Sequence, residues 1–171
     1  MRYENDPKLD SIISETQWSW LEDEIKVSED DLVLIGSGVQ FMLNNRLVNA
    51  EHWPASDVAR LTQLAGSHLK PESKLLFLSG DVHHAQFTGS PCHLESMAGR
   101  PFLEVTASGM THTCDKNLFG LCRLALRGNT PPKFQQSPTV VDFNYGLITI
   151  DLKSMQTDVA IKGRGDKIFI K

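Results

Sequence analysis

A continuous apolar run of strand length, Leu75 to Leu78, stops abruptly at Gly80, Asp81, Val82, His83 and His84, inside the segment Lys74 to Phe87 (KLLFLSGDVHHAQF). A run without alternation suits a strand covered on both faces of a sheet, and a glycine at its end gives the backbone freedom for a sharp exit. Open α/β sheets place their chemistry at the carboxyl ends of such strands. Asp81 and His83 are two residues apart, so in an extended exit they project to one side, where a carboxylate oxygen and an imidazole nitrogen can share a cation. His84 then points the other way, toward a supporting layer of contacts or a substrate. The same residues also suit a capped turn with hydrogen-bonded histidines, and taken alone they leave both readings open.

The chain has 171 residues, 40% of them apolar and 22% charged, which describes one globular domain over residues 1–171 with a sizeable core. A formal net charge of -4 with scattered Lys and Arg gives no electrostatic footprint for nucleic acid, which is excluded as a partner. No run approaches the length of a membrane span, and the start MRYENDPKLD lacks the cationic and apolar regions of a signal peptide, so the chain as written is expected in the cytosol. Cys92, Cys114 and Cys122 match no zinc spacing. They are reduced buried thiols or one disulfide with a thiol left over, and Cys114 and Cys122 are close enough in sequence to close a loop.

Ser14 and Gln17 have the spacing of a capping box, and Trp18, Leu21 and Ile25 follow at helical intervals, which predicts a helix from about Glu15 to Lys26 with Trp20 extending its apolar stripe. Asp31 to Phe41 (DLVLIGSGVQF) reads as a strand ending at Gly36, Ser37 and Gly38. Asn44 to Ala55 is a polar loop, and Ser56 caps a helix running to about Ser67. Lys74 to Ser79 is the next strand, so the first half reads helix, strand, helix, strand, as a layered α/β arrangement requires. In the second half, Pro101 to Ala107, Tyr145 to Asp151, Thr157 to Lys162 and Lys167 to Ile170 show β-branched alternation between turn signals and are predicted to be antiparallel strands, the last two joined by a tight turn at Gly163 to Gly165. Thr111 to Val140, with Pro131, Pro132 and Pro138, reads as a long surface loop of the kind that lines sites.

The blocks QWSWLEDEI, LVLIGSGVQF, LLFLSGDVHHAQF, FLEVTASGMTHT and FNYGLITID, in this order, resemble the carboxy-terminal half of the alkaline phosphatase D family, the PhoD-like branch of the metallophosphatases. The resemblance covers the chain from about Asp10 to its last strands. It implies an α/β fold, half of a four-layer α/β/β/α sandwich of mixed sheets with flanking helices. It also implies a phosphoric ester hydrolase, an alkaline phosphatase or phosphodiesterase acting on small phosphate esters with two metal ions, iron with calcium as in bacterial members, or manganese or zinc. Two cations about 3.5 to 4 Å apart clamp a phosphate oxygen and acidify a water for in-line attack on phosphorus.

By this resemblance Gly80, Asp81, Val82 and His83 stand where the superfamily carries Gly-His-x-His, in the Gly-Asp-x-His form of the PhoD-like branch, which makes Asp81 and His83 metal ligands. His84 is then a candidate for a supporting or phosphate contact. Ser108 to Thr113 resembles a loop near the family's site, so His112 is a candidate phosphate or supporting contact, against the alternative of an ordinary loop histidine. Ser37 and Gln40 belong to a Gly-Ser-Gly-Val-Gln turn that lines the pocket in such proteins, although turn geometry alone accounts for the glycines and the serine. His52, His68 and His93 read as loop or surface residues.

Of the amino-terminal motifs of a complete metallophosphatase, no Asp-x-His stands ahead of Asp81-Val82-His83, Gly-Asp-x-x-Asp and Gly-Asn-His with a following acid do not occur, and the second Gly-Asp pair, Gly165 and Asp166, lacks a following histidine. Two ligands cannot fix a two-metal centre, so the chain alone is expected to be inactive or nearly so. It is then a truncated form, a fragment that pairs with a complementing amino-terminal half, or a non-catalytic interaction domain that keeps the scaffold. Family members are commonly exported, which leaves the compartment open.

Overall fold

A computed structural model describes residues 11–42, 53–114 and 133–171. In chain order the elements are α1 (Glu15–Val27), β1 (Leu32–Gly36), α2 (Ala55–His68), β2 (Lys74–Ser79), β3 (Ala85–Gly89), α3 (Cys92–Ala98), β4 (Leu103–Ala107), β5 (Tyr145–Ile150), β6 (Thr157–Lys162) and β7 (Ile168–Ile170). They build a mixed sheet of order β1-β2-β4-β3 and an antiparallel sheet of order β5-β6-β7. The α/β class read from the sequence is what the fold shows.

Both faces of β2 are covered, as its unbroken apolar run requires. Leu75 and Phe77 join a cluster with Trp18, Ile25, Leu61, Ala65 and Leu94 from the three helices, whereas Leu76 packs with Phe87, Val105, Ile161 and Ile170 between the two sheets. The order of layers is therefore helices, mixed sheet, antiparallel sheet. Phe41 stacks on Phe77 at 4.0 Å with planes 7° apart, and Trp53 meets both Phe41 and Trp18 edge-on.

The helix signals decide α1 closely. Gln17 N–H donates to Ser14 Oγ at 3.3 Å and Ser14 N–H donates to Gln17 Oε1 at 3.0 Å, the reciprocal capping box. Trp20 corrects the expected stripe: it is 61% exposed, because two residues along a helix is about 200° around it from the buried Trp18. Ser56 is not the cap of α2. The helix begins at Ala55 with Pro54 at its N-cap and no side-chain cap bond, since proline's fixed φ suits a helix entry without one. Of the predicted Asn44 to Ala55 loop, residues 44–52 lie outside the described residues.

Two elements have no sequence signal strong enough to be predicted, β3 and the seven-residue α3. β3 makes a second correction intelligible. Pro101 to Ala107 was expected among antiparallel strands of the second half, but β4 lies inside the mixed sheet, parallel to β2 and antiparallel to β3. The other three strands do form the antiparallel sheet, with β6 and β7 joined through Gly165 at φ 64°. The surface loop expected over Thr111 to Val140 is also only partly that. Residues 115–132 lie outside the described residues, but Ala85 and Val140 exchange both backbone bonds at 2.8 Å, and Gly89 N–H donates to Phe134 O at 2.7 Å, so the end of this segment runs along β3.

Two buried charged side chains tie loops to this frame. Arg100 donates from its guanidinium to the carbonyls of Leu69 (3.0 Å), Lys70, Ser73 (2.9 Å) and Ala98 (3.1 Å), which satisfies the ends of α2 and α3 together. Glu104, 1% exposed on β4, accepts Phe41 N–H at 2.7 Å and Met42 N–H at 2.8 Å, so each carboxylate oxygen holds one amide of the segment after β1. Beside it, Gln40 Nε2 donates to Thr106 Oγ1 at 3.0 Å, and Thr106 in turn meets Ser79 Oγ at 2.9 Å.

Burial pushes the Glu104 carboxyl above its ordinary value of 4.5, against the two amides that favour the charged form. A carboxyl whose folded pKa is raised binds more protons when folded, so its contribution to stability is present below the ordinary value and is lost as pH rises from there through the folded pKa. Denaturant unfolding of the wild type and Glu104→Gln between pH 4.5 and 7 is expected to show this extra slope, up to about 1.4 kcal/mol per pH unit, in the wild type only. Glu104→Ala, which orphans two buried amides, is expected to cost roughly 2–5 kcal/mol at neutral pH.

Candidate functional site

β2 and β4 are parallel neighbours, with Ser79 opposite Thr106, so the turn after β2 and the loop after β4 leave the sheet side by side at its carboxyl end. The turn is not the extended exit expected for it. Asp81 has φ 62° and His83 has φ 58°, both left-handed, which reverses the chain into β3. Left-handed conformation costs a non-glycine residue on the order of 1–2 kcal/mol and persists where neighbours over-determine it.

The loop after β4 supplies those neighbours. Val82 N–H donates to Ser108 Oγ at 3.1 Å, Ser108 N–H donates to His84 O at 3.1 Å, and Cys114 N–H donates to His83 O at 2.9 Å. The stitched segments bring the His83 and His112 rings to 5.9 Å between centroids, with planes 28° apart. Asp81, His83 and His112 are exposed. Among the described residues neither the Asp81 carboxylate nor the His83 imidazole has a hydrogen-bond or ion-pair partner, whereas His112 Nδ1 lies 3.1 Å from Thr111 Oγ1. An aspartate acting as a turn cap would accept a backbone N–H, and Asp81 accepts none among these residues.

His84 is separated from that group. It is 1% exposed, and burial pulls its imidazole below the ordinary range, so the ring is neutral at pH 7. A carbonyl can only accept, so the 2.9 Å contact with Val82 O places the proton on Nδ1. Nε2 is then an acceptor, buried and without a partner among the described residues. His84, expected as a supporting or phosphate contact, is thus placed beneath the turn and bonded to its backbone.

Ser37 lines a cleft of about 630 Å³ with Gly80 and Gly146, but its hydroxyl is occupied, accepting Trp53 Nε1–H at 2.8 Å and donating to Val39 O at 2.7 Å. Gln40 is 2% exposed beneath the turn rather than on the cleft. His68 and His93 are exposed at helix positions away from the site, and His52 lies outside the described residues. Asp166 accepts Tyr145 O–H at 2.9 Å, which ties the turn between β6 and β7 to β5 within the antiparallel sheet. Cys114 is disulfide-bonded and Cys92 is free; Cys122 lies outside the described residues. Two residues that sequence reasoning passed over, Ser108 and Asn144, make most of the bonds that shape the site. Both fall inside the blocks that carried the resemblance, but nothing in their spacing distinguishes them.

Among the described residues no three His, Cys, Asp or Glu side chains converge to hold a metal ion. Asp81 and His83, with His112 beside His83, are the donor types of a metal site but an incomplete set, so these residues alone do not accommodate the two ions that the resemblance implies. Among the described residues no helix is long and apolar enough to cross a membrane.

The class defined by this fold is an α/β protein in which two loops, the candidate site, leave the carboxyl end of a mixed sheet together. A solved structure titled "Structure of PhoD" is similar to it over 88% of this chain, with 12% identity and a TM-score of 0.45. The chain spans about a third of that structure, 32%. No protein-family model and no curated protein matches the sequence.

If the strain at Asp81 is kept for its side chain rather than for the fold, Asp81→Gly is expected to leave stability unchanged or raise it by up to about 1 kcal/mol in urea unfolding. A loss of more than about 1 kcal/mol would identify the carboxylate as a structural cap.

Proposed function

We propose that this chain is part of a metal-dependent phosphoric ester hydrolase of the PhoD-like type, in which Asp81 and His83 are two ligands of a centre completed by residues elsewhere. One observation carries the reading. Two residues with metal-ligand side chains are held in strained left-handed conformations at the end of a central strand, and neither side chain has a bonded partner among the described residues. His112, beside His83, is a contact for the phosphate group. The ions, iron with calcium or else manganese or zinc, would supply charge neutralisation at phosphorus and a more acidic water. This chain's own part is to hold a carboxylate and an imidazole on one short turn and to keep His84 neutral beneath them.

A complementing amino-terminal half is part of the proposal. β1 and β5 are edge strands among the described residues, with Leu34 and Leu147 40% and 41% exposed on them. Uncovered apolar edges are the places where further strands add. The incomplete donor set favours a second reading for the isolated chain, a non-catalytic interaction domain that keeps the scaffold.

Hydrolysis of p-nitrophenyl phosphate and bis-p-nitrophenyl phosphate, with iron, calcium, manganese or zinc added, decides between them. The isolated chain is expected to be inactive, and a version extended by a segment bearing Asp-x-His and Gly-Asn-His is expected to turn over. In that version Asp81→Ala or His83→Ala is expected to lower the rate more than about 100-fold. Turnover by the isolated chain, or an extended version indifferent to both substitutions, would overturn the assignment.

A further inference from the structure

Asn144 stands immediately before β5 and is 2% exposed. It grips Gly109 from both directions: Gly109 N–H donates to Asn144 Oδ1 at 3.2 Å, and Asn144 N–H donates to Gly109 O at 3.1 Å. Its remaining donor, Nδ2, goes to Asp142 O at 2.8 Å, so the amide is fully oriented. The fit leaves no room for a side chain on the partner. A Cβ at Gly109 would stand 2.0 Å from Asn144 Nδ2.

Gly109 lies between Ser108, which binds the backbone at Val82 and His84, and His112, whose ring meets His83. Fixing Gly109 to the antiparallel sheet therefore fixes the Ser108 and His112 contacts of this loop with the turn, beside the bond from Cys114 N–H to His83 O. We infer that Asn144 is a positioning residue that, by clamping Gly109, holds His112 against His83 and, through Ser108, the turn that carries Asp81. The assignment rests on the ligand role proposed for His83 only where metal is concerned; the placement of the two rings is independent of it.

The test uses the full chain as wild type, Asn144→Ala, Asn144→Asp and Gly109→Ala. Three readouts apply: nuclear Overhauser contacts between the His83 and His112 ring protons, calorimetric affinity for Zn²⁺, and amide exchange in β5 and β6. Asn144→Ala, which removes the side-chain half of the clamp, and Gly109→Ala, which forces the Asn144 amide aside, are expected to lose the ring contact and weaken Zn²⁺ binding about 10- to 100-fold while amide protection in β5 and β6 persists. Asn144→Asp keeps the oxygen that accepts Gly109 N–H but sets a carboxylate oxygen against Asp142 O where Nδ2 donated, and is expected to retain the ring contact in part, more than Asn144→Ala. The inference is overturned if both clamp-breaking variants keep the contact, or if they lose it only together with protection of β5 and β6, which marks a general structural role. Should Asn144→Ala not fold, Gly109→Ala and Asn144→Asp decide. Absence of Zn²⁺ binding by the wild type counts against the ligand reading alone, since the ring contact still reports on the clamp.

Discussion

Ser79 and Thr106 face each other at the carboxyl ends of two parallel interior strands, and the candidate site exists because of that pairing. Parallel neighbours end at the same edge of a sheet, so the segments following β2 and β4 emerge together although about thirty positions separate them in sequence. Backbone bonds from Ser108 and Cys114 then reach the turn directly. An antiparallel pairing of the same strands would have sent the two exits to opposite edges and kept His83 and His112 apart.

Such an arrangement needs a frame that does not slip, and the interior supplies it with polar bonds set among apolar contacts. Leu75, Leu76 and Phe77 fix the register of β2 by filling opposite faces, since a slip of one residue would exchange the faces of every side chain. Glu104 and Arg100 then anchor the segments that leave the sheet and helices without partners of their own. A buried carboxylate is costly, and its two amides offset only part of its desolvation. What it secures is position: Phe41 is brought down onto Phe77, and the segment after β1 is closed beneath the site.

The turn shows the opposite economy. Asp81 and His83 hold strained backbone without side-chain bonds among the described residues that would relieve it, while the cost is carried by backbone bonds from the neighbouring loop. Left-handed backbone also occurs at Met155 and Asp166, and it persists wherever neighbouring bonds over-determine it. His84, one residue on, is buried and neutral, its Nδ1–H donating to Val82 O. Adjacent histidines of identical chemistry thus stand in different environments because one side chain faces solvent and the other the core.

The sequence by itself determined the features that are local or periodic. The capping box at Ser14 and Gln17, the two-faced burial of Leu75 to Leu78 and the antiparallel strands from Tyr145 onward follow from dihedral preferences and hydrophobic period, which nearby residues carry. It did not determine that Glu104 is interior, because a charged residue at an alternating position reads as a solvent face until two backbone amides from β1's far side arrive to receive it. Nor did it determine the parallel place of β4, the left-handed turn at Asp81 and His83, or the clamp between Asn144 and Gly109. Each depends on partners distant in sequence. Only tertiary structure brings them within bonding distance and thereby decides which histidine is exposed at the turn and which is core.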